Sequence, residues 1–445
     1  MEDRAAKQPS SVSRRQFVTG MGAAVVGGLV VGGGAGFGAG WAASGPDSGG
    51  SGGEGTAGGT LKIGSSLPLT GFAAADGLEQ KQAVTLAIEE WNARGGVLGR
   101  QIEYVVEDVA DMAPETMLSN FRSLTTKSNV DAIINGYLLF SGPEYDVVAE
   151  SGTPYIHVNT LESNPETYKS NPDKYWMTFM ADPSQKWYGL GFPAFIQAIE
   201  AEGKWKPAKK EIAIITASDP YATGIADNLQ ASMQKVGWTV SLFEKIVAPL
   251  NEWGPILQKI RSNSPDVIFV SDLTLGDIAS FTKQFSENPT PSLLYGQYVP
   301  SLKEYIDLAG AASNGVVWST VLGIVPGKQA DEYRAAYEKR WGVKPGGSIG
   351  GILYDETNLY LTAVAMAGGP EDRKKVCDIV NRNWYRGLCG VYHFTDERTV
   401  APYPDDTPDP ATGVSHLYVQ IQNGEQKIIY PKPYTESTFE LPAWF

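Results

Sequence analysis

Short apolar runs alternate with amphipathic stretches along most of this chain, and the alternation runs through twice. LKIGSSL, Leu61–Leu67, is a buried strand closed by Pro68. In LEQKQAVTLAIEEWNARGG, residues Ala83, Leu86, Ala87, Glu90 and Trp91 fall near one helical face, and Gly95-Gly96 stops the helix. QIEYVVE, VDAIING and PYIHV then predict strands, separated by helices over Pro114–Lys127 and Glu144–Glu150. The second round starts at KYWMTFM, which leads into a helix from Ser184 to Glu200. EIAIIT, WTVSLFEKIV, PDVIFVS and SLLYGQY follow as strands, spaced by helices over Gly224–Gly237, Glu252–Ser262 and Gly276–Ser286. Three more helices are predicted at Lys328–Trp341, Gly351–Met366 and Glu371–Asn381, and late strands at GVYHF and HLYVQIQ. Between those strands, TVAPYPDDTPDPATG is too rich in proline and aspartate for a regular element. Strands spaced by helices of this length build parallel sheets through right-handed crossovers, so the fold class is α/β.

The front of the chain breaks the pattern. From Gln16 to Ser44 no residue is charged, directly after Arg14-Arg15. The run could span a bilayer by length, but it is crowded with glycine and poor in leucine. Residues 1–43 fit a twin-arginine export signal better than a permanent anchor or a buried helix. Residues 44–60 form a Gly/Ser-rich linker with nothing to bury. A chain exported by that route folds before it crosses, so it must stand without disulfides. Its only cysteines, Cys377 and Cys389, either pair late or remain free buried thiols.

Composition narrows the function. The sequence is 42% hydrophobic and 19% charged, as in an ordinary globular protein. A net charge of −14 argues against nucleic acid and anionic membrane surfaces as partners. No nucleophile elbow, phosphate-binding loop or Cys-His pair appears, and His157, His393 and His416 lack metal-ligand spacing. No catalytic residue, metal site or cofactor is therefore expected.

LKIGSSLPLTG, AIEEWNARGGVLGRQIEYVVED, ESGTPYIHVNTLESNPE, DPYATG and SPDVIFV, in this order, resemble the type I solute-binding proteins of ABC importers for branched-chain amino acids, urea and amides. The resemblance implies two doubly wound parallel-sheet lobes joined by a three-strand hinge. Lobe 1 would hold 61–182 and 325–393; lobe 2 would hold 183–324, with 394–445 returning to it as a strand and C-terminal tail. It also implies a partner permease in the membrane and a small guest in the cleft: an amino acid, an amide, urea or an aromatic acid. A ligand-sensing ectodomain or regulator of the same fold is the alternative.

Ligands of parallel sheets bind where strands end and helices begin. Phe140 and Ser141 stand at such a point, where Ser141 either donates to a ligand or caps its helix. The resemblance adds Leu161 and Ser163, as a backbone carbonyl and a hydroxyl, and Tyr221, as a ligand-facing tyrosine from lobe 2. Amino-acid-specific members carry an acidic residue in the loop that here reads YGQYVPS, with Gln297 and Tyr298 near the place. The preceding loop, SDLTLGD, offers Asp272, Thr274 and Leu275 where a tyrosine is common. A buried ammonium without a counter-charge is costly. Either Asp76, Asp219 or Asp272 supplies that charge, or the ligand has no ammonium. Phe72, Tyr137, Phe140 and Tyr298 would suit a flat guest.

Overall fold

The computed structural model describes residues 59–250, 252–400, 402–403 and 409–445. The twin-arginine segment, the linker through Gly58 and Asp405-Asp406 lie outside the described residues.

The first sheet is laid down by β1 (Leu61–Leu67), α1 (Ala74–Ala93), β2 (Ile102–Asp108), α2 (Pro114–Arg122), β3 (Ala132–Asn135), α3 (Glu144–Ser151), β4 (Tyr155–His157), α4 (Ser163–Ser170) and β5 (Thr178–Met180). Its order is β2-β1-β3-β4-β5, and every pairing is parallel. β1 and β3 are buried along their length apart from Lys62, as a strand covered by helices on both faces requires. The chain moves from β1 to β2 on one side and returns to β3 on the other. The loops after β1 and β3 therefore splay apart and leave a crevice at their strand ends.

The second sheet receives α5 (Lys186–Leu190), α6 (Phe192–Ala201), β6 (Glu211–Ala217), α7 (Pro220–Lys235), β7 (Thr239–Ile246), α8 (Gly254–Asn263), β8 (Val267–Ser271), α9 (Leu275–Glu287), β9 (Leu293–Gly296), α10 (Lys303–Ala309) and β10 (Val317–Thr320). The chain then returns to the first lobe as α11 (Lys328–Trp341), α12 (Ile349–Ala367) and α13 (Arg373–Arg382). α12 lies on α1, where Asn358 accepts from the Trp91 indole at 2.9 Å and Tyr354 donates to Glu90 at 2.6 Å. Short strands β11 (Tyr385–Arg386), β12 (Val391–Tyr392), β13 (Pro402–Tyr403) and β14 (Val414–Ser415) lead to β15 (Leu417–Gln422) and β16 (Glu425–Tyr430). The second sheet reads β16-β15-β10-β9-β8-β6-β7, with its own crevice between β6 and β8.

Three connections tie the lobes together. Thr399 donates to the Asp182 carbonyl at 3.0 Å, Val325 N–H to Leu388 at 2.9 Å, and the Cys389 thiol to Leu322 at 3.3 Å. The buried Asp355 carboxylate pins the third connection by accepting from the N–H groups of Leu388 and Cys389 and from the Tyr392 hydroxyl.

Several expectations need correction. β15 runs antiparallel to β10 and β16 antiparallel to β15, so the second sheet is mixed. KYWMTFM contributes only Thr178–Met180, and GVYHF only a two-residue strand. β16 carries a single buried pair, Ile428 and Ile429, too weak an apolar pattern to announce a strand. TLESNPE carries α4 from Ser163, a helix the apolar pattern does not announce. α7 starts at Pro220 rather than Gly224, because Asp219 caps it with Pro220 in its first turn. Of the two readings for the cysteines the structure has the second: Cys377 and Cys389 are free and buried, and burial pushes both thiols up.

Candidate functional site

The site grows from the two crevices. After β1, the Asp108 carboxylate gathers the loop by accepting from Leu69 N–H at 2.9 Å and the Thr70 hydroxyl at 2.7 Å. α1 then starts almost against that loop. A Cβ at Gly77 would stand 2.0 Å from the Pro68 carbonyl oxygen, so only glycine allows the approach. The approach sets Asp76, in the first turn of α1, at the strand ends, where the residue is 8% exposed. Its Oδ2 accepts from the Tyr137 hydroxyl at 2.6 Å and from the Tyr298 hydroxyl at 2.5 Å. Tyr137 follows β3 in the same lobe; Tyr298 follows β9 in the other. Burial holds the Asp76 carboxyl above its usual range, opposed by the two phenols. Burial, and then the charge on Asp76, pushes both phenols well above theirs. The phenols are thus the donors and the carboxylate the acceptor.

One turn along α1, Gln80 is fully buried beside Gly136, where a Cβ would fall 2.0 Å from the Gln80 Oε1. Neither amide atom of Gln80 has a hydrogen-bond partner among the described residues, and Asn159 Nδ2 also lacks one. Glu79 turns instead to α12, accepting from Gly346 N–H at 3.0 Å and Gly350 N–H at 3.1 Å. Burial, then the charge on Asp76, pushes it up to about 7.

Lobe 2 supplies a relay of neutral groups. Gln297, fully buried, donates through Nε2 to the Tyr221 hydroxyl at 2.9 Å and accepts at Oε1 from Tyr295 at 2.5 Å. Tyr295 pairs with Ser319 at 2.7 Å, and Ser319 with His416 Nε2 at 2.8 Å. Burial lowers His416 to about 3, so its ring is neutral. The assembly offers one carboxylate, phenols and carboxamides. It contains no nucleophile beside a base, and no group of three or more His, Cys, Asp or Glu among the described residues could hold a metal. Such groups can hold a guest by hydrogen bonds and charge, without a means to break it.

Residues 60–403 match the periplasmic binding protein family. The chain belongs to that family. It is a family of substrate-binding proteins for transport, not of enzymes. A solved structure from Silicibacter pomeroyi, assigned to a branched-chain amino acid ABC transporter, is 37% identical; it covers 87% of this chain and 100% of its own, with a TM-score of 0.84. LivJ from Streptococcus pneumoniae, solved in complex with isoleucine, shares the fold: TM-score 0.67, 19% identity, 84% of this chain and 100% of that one. Leu/Ile/Val-binding protein homolog 2 of Brucella abortus is 26% identical over 48% of this chain and 54% of its own length. The chain thus spans about half the length of that curated relative.

In this periplasmic binding protein the anticipated residues divide. Asp76 meets Tyr298, and Tyr221 meets Gln297. Ser141 bonds inside lobe 1, its hydroxyl 2.6 Å from Glu144 Oε1 and from Asn164 Oδ1, and it does not cap α3, whose N-cap is Pro143 with no side-chain hydrogen bond. The Leu161 carbonyl accepts from Asn164 N–H at 3.0 Å, and Ser163 opens α4 as an exposed residue. Thr274 is the N-cap residue of α9, its N–H donating to Asp272 at 2.8 Å. Asp219 caps α7 through Ala222 N–H. Phe72 and Phe140 are exposed at 67% and 54% on the loops after β1 and β3. Of the three counter-charge candidates, only Asp76 is shared between the lobes.

Asn159 opens one of the strand-end loops expected to face a ligand, residues 159–163, whereas Gln80 lies outside all of them. The position of Gln80 four residues after Asp76, on the same helical face, was the available signal.

Proposed function

We propose that this protein is the solute-binding component of an ABC importer, exported through its twin-arginine segment, that captures a small polar solute between its lobes and delivers it to a membrane permease. One observation carries the reading: a buried carboxylate at the strand ends of lobe 1 is met by a phenol from lobe 2. A guest placed there touches both lobes at once, so closure would be stabilised by contacts that exist only in the closed form. The orphaned amides of Gln80 and Asn159 support a polar guest, because buried polar groups without partners are costly and a ligand can satisfy them. Among the described residues no helix is long and apolar enough to cross a membrane, which agrees with a body that works beside the membrane.

The test is a thermal-shift screen of amino acids, short amides, urea and aromatic acids, followed by calorimetry on each hit. A true ligand raises the melting temperature through linkage, binds one to one and is recovered unchanged. Conversion of a hit into product would end the reading.

A further inference from the structure

A cavity of about 290 Å³ opens between α12, α13 and the start of β11, and none of the cleft residues lines it. One wall is a single face of α12, Leu359, Ala363 and Met366; the others are Ile379 of α13 and the rings of Trp384 and Tyr385. Met366 and Trp384 are exposed at 56% and 61%, although Leu359, Ala363 and Val380 around them are buried. A guest in the cavity would take the thioether and the indole out of water together, and sulfur and ring both pack well on an aromatic partner. Size sets the guest. An apolar cavity of about 150 Å³ already takes benzene, so this one accommodates a single ring with a short substituent.

The lining also sets the guest's polarity. No charged side chain is among the lining residues, so an ion would lose hydration there without compensation. Asn383 supplies a handle for a neutral group. Its Nδ2 donates to the Met366 sulfur at 3.1 Å, and a thioether is a weak acceptor. The amide therefore loses little by turning to an oxygen that a guest brings. The same walls reach the hinge. Asp355, four residues before Leu359 on α12, accepts from Leu388 N–H, Cys389 N–H and the Tyr392 hydroxyl. Tyr385, beside the cavity, pairs with Tyr392 across β11 and β12.

We infer that this cavity is a second small-molecule site, separate from the cleft, for a neutral one-ring compound carrying an oxygen acceptor. Trp384 covers a face of the ring, Met366 meets its edge and Asn383 binds the oxygen. The occupant bears on both elements that meet at Asp355, and through them on the third connection between the lobes.

The test is a titration of the whole protein by saturation-transfer NMR, with benzyl alcohol and benzylammonium as probes. Benzyl alcohol should bind wild type with a roughly millimolar constant. Benzylammonium, charged and without an acceptor, should bind about tenfold more weakly. Trp384→Ala trims an exposed side chain and should cost benzyl alcohol about tenfold. Ala363→Leu fills the cavity from the α12 side and should abolish its binding; circular dichroism checks that both variants fold. Asp76→Ala, which alters the cleft, should bind benzyl alcohol as wild type does. Undetectable binding to wild type, equal affinity for the two probes, or unchanged binding in both Trp384→Ala and Ala363→Leu would overturn the site. Loss of binding in Asp76→Ala would assign the probe to the cleft and overturn it as well.

Discussion

Lobe 1 brings carboxylates to its interior and to the cleft, whereas lobe 2 brings phenols, an amide and stacked rings. In lobe 1, Asp182 and Glu356 are fully buried with all four oxygens unpartnered among the described residues, and burial holds both acids well above their usual range. Asp76 faces the cleft and Glu79 faces α12, and burial raises both acids. In lobe 2 the polar groups form a continuous relay from Tyr221 to His416, and rings pack in stacks, with Phe269 and Tyr295 centroids 4.1 Å apart. Asp272 Oδ2, His416 Nδ1 and Tyr418 Oη, all buried and unpartnered among the described residues, depart from that rule. The contrast separates two duties. A satisfied polar network is already rigid and positions a lid, while an under-satisfied one still has bonds to give.

The comparison can be broken most directly at Asp76. Asp76→Ala should cost an ammonium-bearing solute about 3 kcal/mol, roughly a hundredfold in affinity by calorimetry. The melting temperature should fall, since the Tyr137 and Tyr298 hydroxyls lose their shared acceptor. Undiminished affinity would move the charge-bearing duty out of lobe 1.

Glu79 gives an effect close in size, seen in pH rather than ligand. Its carboxyl titrates at about 7 when folded, against 4.5 for the unperturbed group. Over that window the folded chain keeps a proton the unfolded chain has released, so stability falls as pH rises. At 1.36 kcal/mol per unit the loss is about 3 kcal/mol as an upper bound. Denaturation at about pH 5 and about pH 8 should show the fall in wild type and a smaller one in Glu79→Gln, whose amide oxygen still accepts from Gly346 and Gly350. Equal slopes would assign the pH dependence to the other buried acids, among them Asp355 and Asp272, each held up to about 6.

In lobe 2 the expected changes are smaller and concern stability. Tyr221→Phe strips Gln297 Nε2 of its partner at a fully buried position, at about 1–2 kcal/mol by urea denaturation. Ser141→Ala sharpens the lobe 1 side: the hydroxyl joins Glu144 to Asn164, so about 1 kcal/mol of stability should go. Solute affinity should change less than about threefold, because that hydroxyl is already engaged. A large loss of affinity would return Ser141 to the site. Reductant should leave the melting temperature where it was, because Cys377 and Cys389 share no bond.

Elements covered on both faces were legible as apolar runs: β1, β3, β6 and β8 all lie where the pattern puts them. β16 was not, because its exposed face and single buried pair carry no such pattern. In the site, Tyr221 and Asp76 stood out as residues at strand ends. Gln297 and Tyr298 were named from their loop as well, but the pairings were not legible, since Tyr298 lies 222 residues from Asp76 and Gln297 lies 76 from Tyr221.

Sequence alone determined the alternation of strand and helix, the family, and the poverty of catalytic groups, because each is a matter of local pattern or residue type. Which acid faces the cleft was decided only by the folded chain. Asp76, Asp219 and Asp272 are equivalent as loop or helix-start aspartates, and each can cap a helix or meet a ligand. Helix caps consume Asp219 and the turn before α9 consumes one oxygen of Asp272, while a strained turn from the other lobe reaches Asp76. That choice depends on which strand ends the two sheets bring face to face, a distance that no spacing along the chain encodes.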